Sequence, residues 1–184
     1  KMEYLISKLN NENLVSDKNT NETIEDNLDK LSSYLDLIWI KFKNGKKYKE
    51  EIFELEKLLP NNKKFFIEKL LLYDINFFYG LSYLEIEFNK SISTYTNEKF
   101  LSDNKNSVIN FLSNFVNIRP RNLSKYQNEE LNILMRAKKL MQEEKILDSL
   151  NQILLIEDNK KFFSLWINQA NIYLDFKSTI EKIS

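Results

Sequence analysis

The chain has 184 residues, 42% of them hydrophobic, with 27 basic and 27 acidic side chains and neither histidine nor cysteine. That is enough apolar material for one domain with a real core, with or without an N-terminal extension. The even charge balance leaves no global field to draw nucleic acid, and the missing residue types exclude disulfides, thiol catalysis, most zinc sites and the usual general base.

Met2 to Leu9 carries a short apolar pattern (Met2, Leu5, Ile6, Leu9), and Asn10 to Asn21 is a polar linker with little to bury. Residues 1–22 are therefore expected to be an extension or the end of an upstream coiled coil, and 23–184 the helical domain. The first residue is Lys1, as in a piece cut from a longer chain. No uncharged apolar run reaches the roughly 18 residues of a membrane span. The best candidate, Phe65 to Leu81, is interrupted by Glu68, Lys69 and Asp74.

Thr23 followed by Asp26 resembles a capping box opening a long helix. Ile24, Leu28, Leu31, Leu35, Ile38 and Phe42 then keep one stripe on one face, a surface on which Ile24 to Ile38 are expected to self-associate. Five lysines follow without an intervening acid: Lys41, Lys43, Lys46, Lys47 and Lys49. Gly45 sits among them, where a helix end needs a residue tolerant of positive φ. A second helix restarts at Tyr48, carries Ile52, Leu55 and Leu59, and stops at Pro60. The stretch predicts a helical hairpin with a cationic elbow. Trp39 and Phe42 beside the lysines suggest contact with an anionic bilayer. Glu50, Glu51, Glu54 and Glu56 read as a solvated face at a helix start rather than a metal site.

Asn61 or Asn62 caps a third helix, predicted over Lys63 to Tyr79, apolar nearly all round and expected to be the buried centre. Gly80 breaks it. Leu81, Leu84 and Phe88 continue as a shorter helix, with Ser91 to Asn106 read as a turn or loop. Val108, Leu112, Phe115 and Val116 mark another helix ended by Pro120, and Arg121 to Asn128 is a second linker.

A C-terminal helical set runs from Glu129 to Ser184. The chain's two alanines, Ala137 and Ala170, lie close to one tetratricopeptide period apart, each followed three residues on by a larger side chain, Leu140 and Tyr173. Trp166, Ala170 and Tyr173 match part of that repeat's pattern. These five residues are expected to serve close helix packing or to line a partner groove. No strand alternation, phosphate loop or nucleophile motif appears. The fold class predicted is all-α: an irregular bundle of antiparallel helical hairpins with a tetratricopeptide-like C-terminal pair.

The succession of segments resembles the C-terminal mitofilin domain. In L-x-I-W-I-K-F-K-N-G-K-K-Y-K-E-E-I-F-E-L-E-K-L-L-P-N-N, the positions Gly45, Tyr48, Glu51, Ile52, Leu59, Pro60 and Asn61 fill those of the family's turn and following helix. Tyr73 to Leu84 resembles its Tyr-x-x-x-Gly step, Ser107 to Pro120 its Val-x-Val-Arg segment with Arg119, and Glu130 to Ile183 its closing helices. Lys47 and Ser82 stand where the family carries proline. The resemblance implies a membrane-shaping protein of the mitochondrial inner membrane or its bacterial counterpart. Its anchor and coiled coil precede this domain, which faces the intermembrane space or periplasm. It also implies lipid-binding helices and a small helical protein partner, while the stripe from Ile24 to Phe42 carries the expectation of a homo-oligomer. The expected role is that of a non-catalytic scaffold with no cofactor, metal or nucleic acid. A soluble tetratricopeptide-like adaptor is the alternative, and carboxylate-only metal chemistry the likeliest form of an enzyme, ranked third.

Overall fold

Side chains spaced four and three apart put Leu35, Ile38 and Phe42 on the inner face of a first helix, α1, covering residues 27–43. The computed structural model describes residues 27–73, 78–100 and 129–184. Residues 1–26, with Ile24 and the Thr23 cap, and the predicted Val108 to Pro120 helix lie outside the described residues.

α1 ends as its glycine requires. Gly45 has φ +63°, its N–H donates to Phe42 O (2.9 Å), and the Lys46 N–H reaches back to Lys41 O (2.8 Å). This paired bonding satisfies carbonyls that a helix terminus leaves open. α2 (Lys49–Leu58) buries Ile52 and Leu55, and the extended backbone at Leu59 and Pro60 stops it. A 3-10 turn (Asn61–Lys63) leads into α3 (Phe65–Leu72). α4 is Leu81–Phe100, α5 Glu129–Gln142, α6 Ile146–Ile153 and α7 Asn159–Ile183. No strand occurs among the described residues, so the all-α bundle stands.

The centre of the bundle is α7, not the third helix. α3 is only 8 residues long and buries Ile67 and Leu70, while Phe65 and Leu72 are more than half exposed. α7 has 25 residues and inward side chains from Phe163 to Ile183, so it reaches every neighbour. α4 packs antiparallel to it through Phe88 on Trp166 (4.8 Å between rings) and Tyr95 on Phe162 (5.1 Å). α3 and the 3-10 turn before it run antiparallel to α7, through Lys69 to Asp175 (2.8 Å) and through Lys63, whose ammonium donates to Ile183 O (2.6 Å). A lysine at that place complements the negative end of the helix dipole. α1 stacks Trp39 on Phe176 and sets it tilted against Tyr173.

α4 also runs further than the polar composition after Ser91 suggested. Ile92 and Tyr95 extend the inward stripe of Leu84 and Phe88, and the hydroxyls of Thr94 and Thr96 bond back to Lys90 O and Ile92 O. Bonding to the carbonyl four residues back gives each hydroxyl a partner within the helix.

α5 and α6 form the tight hairpin that Ala137 foretold. With a methyl group at 137, α6 approaches close enough for the Ser149 hydroxyl to donate to Ala137 O (2.8 Å). Glu144 turns the chain between them at φ +54°.

Candidate functional site

The elbow between α1 and α2 is held at several points. The Lys41 ammonium donates to Glu51 at 2.5 Å, tying the last turn of α1 to the first of α2. Lys43 donates to Glu144 at 2.6 Å, tying the elbow to the α5–α6 turn, and lies over the Trp39 ring at 5.9 Å. The two glycines complete the anchorage. A Cβ on Gly45 would stand 2.5 Å from Tyr79 O, and one on Gly80 (φ +96°) 2.9 Å from the Gly45 nitrogen. Backbone therefore meets backbone where the elbow crosses the start of α4, an approach only glycine permits at positive φ.

Five lysines thus divide into two classes. Lys41 and Lys43 are half-buried and paired, while Lys46, Lys47 and Lys49 are exposed with no acidic partner among the described residues. Lys49 instead lies over the Phe53 ring at 5.8 Å.

The aromatic part of the expected membrane contact is corrected. Phe42 is 2% exposed and stacks on Phe176 with ring centres 3.7 Å apart. Trp39 is half-buried, stacked on Phe176 and bordering the cleft between α1 and the end of α7. A stripe that includes Leu35 and Ile38 carries Phe42 inward with them. The exposed apolar residues flanking the elbow are Ile40 (55%) on α1 and Phe53 (45%) on α2, each on the side of its helix away from the core. Ile40 lies two positions from both Ile38 and Phe42, about 200° round the helix, so its outward direction could be read from the same stripe.

The expected self-association stripe divides as well. Leu35 and Ile38 are core residues, whereas Leu28 is exposed and, with Leu31, Trp39 and Ile180, lines a cleft of about 300 Å³ between α1 and the end of α7. Asp36, Lys177 and Glu181 also line it. Ala137, Trp166 and Ala170 are fully buried, Tyr173 nearly so, and Leu140 half-buried. These five are packing residues, and the partner groove expected from them is corrected to helix-on-helix contact. Only Tyr173 reaches an open cleft, of about 450 Å³, shared with Leu147, Leu174 and Lys177.

No cluster of three or more acidic side chains suited to a metal occurs among the described residues. Glu51 and Glu54 are engaged by Lys41 and Lys57. The perturbed titrating groups are dispersed: burial lowers Lys138 to about 8 and raises Tyr173 to about 12. Among the described residues no helix is long and apolar enough to cross a membrane.

Fold and site together define a helical bundle with an anchored cationic elbow. Compared with protein-family models, curated proteins and solved structures, the chain matches none of them.

Proposed function

We propose that the chain is a non-catalytic scaffolding module that works by surface contact, at an anionic membrane face and with its own kind or a small helical partner. The observation that supports this most is the division of the elbow: two lysines fasten it and three stand exposed with no acidic partner among the described residues. A basic side chain near an anionic leaflet contributes about 1 kcal/mol, so three give roughly 3 kcal/mol, a weak contact. Insertion of Ile40 and Phe53 strengthens it, and so does presentation of several elbows by one assembly. Such a contact suits the membrane-shaping role and the inner-membrane, periplasmic or intermembrane-space setting that the mitofilin resemblance implies.

Co-sedimentation with vesicles tests the reading. The protein should bind vesicles containing anionic lipid, release them as salt rises, and ignore zwitterionic ones. Equal binding to both kinds, or none to either, rejects the membrane part of the proposal.

A further inference from the structure

The backbone that crosses the elbow carries side chains of its own. A Cβ on Gly80 would meet the Gly45 nitrogen at 2.9 Å and the Lys43 carbonyl oxygen at 3.1 Å, so the start of α4 lies directly against the lysine-bearing turn. Just before that glycine stands Tyr79. Its carbonyl lies against Gly45, and its N–H donates to the Gln169 side chain on α7 (3.3 Å). The backbone at Tyr79 is therefore fixed from two sides, yet the residue is 52% exposed. Its ring meets the half-buried ring of Tyr83 edge-on at 4.9 Å, and neither hydroxyl has a hydrogen-bond partner among the described residues. Ile86, three residues beyond Tyr83 and so on the same side of α4, is 64% exposed. The acids nearby on α4 are engaged elsewhere: Glu87 is buried and pairs with Lys90 (3.6 Å), and Glu85 lies close enough to Lys138 of α5 to act on its charge.

A tyrosine with an apolar body and a free hydroxyl suits a boundary that is dry at one end and wet at the other, and such rings collect at the membrane interface. Charge decides which boundary this is. Lys46, Lys47 and Lys49 are exposed with no acidic partner among the described residues, which favours an anionic surface. The exposed aliphatic side chains of Ile40 and Ile86 fit acyl chains and offer a nucleobase nothing to stack on. We infer that Tyr79, Tyr83 and Ile86 continue the elbow's membrane face onto α4, with the two tyrosines seated at headgroup level beside the lysines. This rests on the reading of the elbow as a membrane contact, and it supplies the aromatic component that Phe42, buried in the core, cannot. The glycine crossing holds both parts in one surface, so lysines and tyrosines meet the bilayer together.

Partition into phosphatidylglycerol–phosphatidylcholine vesicles tests it, with native helicity checked for each variant. Tyr79→Ala should weaken partition roughly fivefold, and Tyr79→Trp should restore it, because tryptophan serves at the same depth. The chain has no cysteine, so Ile86→Cys and Leu155→Cys can each carry a single environment-sensitive dye. Leu155 is equally exposed, at 65%, but lies in the α6–α7 turn, outside the proposed face. Emission from position 86 should shift to the blue on these vesicles, and emission from position 155 should not. If the wild type binds but Tyr79→Ala binds equally well, or the dye at 86 stays in water, the inference is overturned and the elbow reading stands. If the wild type binds no anionic vesicle, both are overturned. Binding to a single-stranded oligonucleotide that exceeds vesicle binding and is lost in Tyr79→Ala would assign the rings to base stacking and also overturn it.

Discussion

Substituting alanine for Gly45 should destabilise the protein far beyond what a surface turn ordinarily costs. The residue sits at φ +63°, where a Cβ costs about 1–2 kcal/mol. That Cβ would also lie 2.5 Å from Tyr79 O and 2.8 Å from Tyr79 C, which are backbone atoms and cannot swing aside. Relief requires the elbow and the start of α4 to part, an overpacking cost of about 1–3 kcal/mol. Loss of freedom in the unfolded chain returns about 0.4–1 kcal/mol. The sum is a loss of about 1–4.5 kcal/mol, or a fall in Tm of roughly 2–18 °C for a chain of this size. Urea and thermal unfolding followed by far-UV circular dichroism measure it. Gly80→Ala should cost a similar amount through the reciprocal approach to the Gly45 nitrogen at 2.9 Å. The double variant should cost less than the sum, because one separation of the strands of backbone relieves both clashes. A Gly45→Ala protein within about 0.5 kcal/mol of the wild type would refute the contact.

Three further outcomes follow from the same geometry. Phe42→Ala should lose about 3–5 kcal/mol, since the ring is stacked in the core, while Ile40→Ala should stay within about 0.5 kcal/mol; equal losses would mean that the inward and outward faces of α1 are misassigned. Lys138 is buried, and its pKa falls from 10.5 to about 8. Below that value it is charged in both states and bears the full burial penalty. Between about 8 and 10.5 the unfolded chain binds the extra proton, so the group's contribution to stability rises with pH. Lys138→Met should therefore be the more stable protein at neutral pH, by on the order of 3 kcal/mol, and that advantage should shrink in alkaline urea titrations. A gap independent of pH would show that the ammonium is not desolvated. Finally, Ser149→Val should cost about 1–3 kcal/mol, because α6 is pressed against α5 where the hydroxyl bonds Ala137 O; a neutral result in chemical denaturation would remove that bond from the account.

Much of the architecture was legible in the chain itself. The stripe through Leu35, Ile38 and Phe42, the glycine at 45 and the proline at 60 define the α1–α2 hairpin from local chemistry alone, and Ala137 announces a close helix pair. What could not be read depends on partners distant in sequence. Phe65 to Leu72 looks central because it is apolar, but α7 becomes central because its length and its aromatic residues reach α1, α3 and α4 at once. The threonines after Ser91 suggest a loop until their hydroxyls are seen to bond within the helix. Gly45 and Gly80 each look like ordinary helix punctuation, and only the tertiary fold brings their backbones together. At the elbow, the sequence shows five lysines as one cluster. The structure separates them, since Glu51 is near in sequence to Lys41 but Glu144 is 101 residues from Lys43.

That separation is the point on which the functional account rests, and one comparison tests it directly. Binding to anionic vesicles should be measured for a Lys46→Gln, Lys47→Gln, Lys49→Gln protein beside a Lys41→Gln, Lys43→Gln protein, both checked for native helicity. The triple variant should lose vesicle binding, while the double variant should keep it and show only a modest loss of stability. Retained binding in the triple variant, or equal loss in both, would contradict the account.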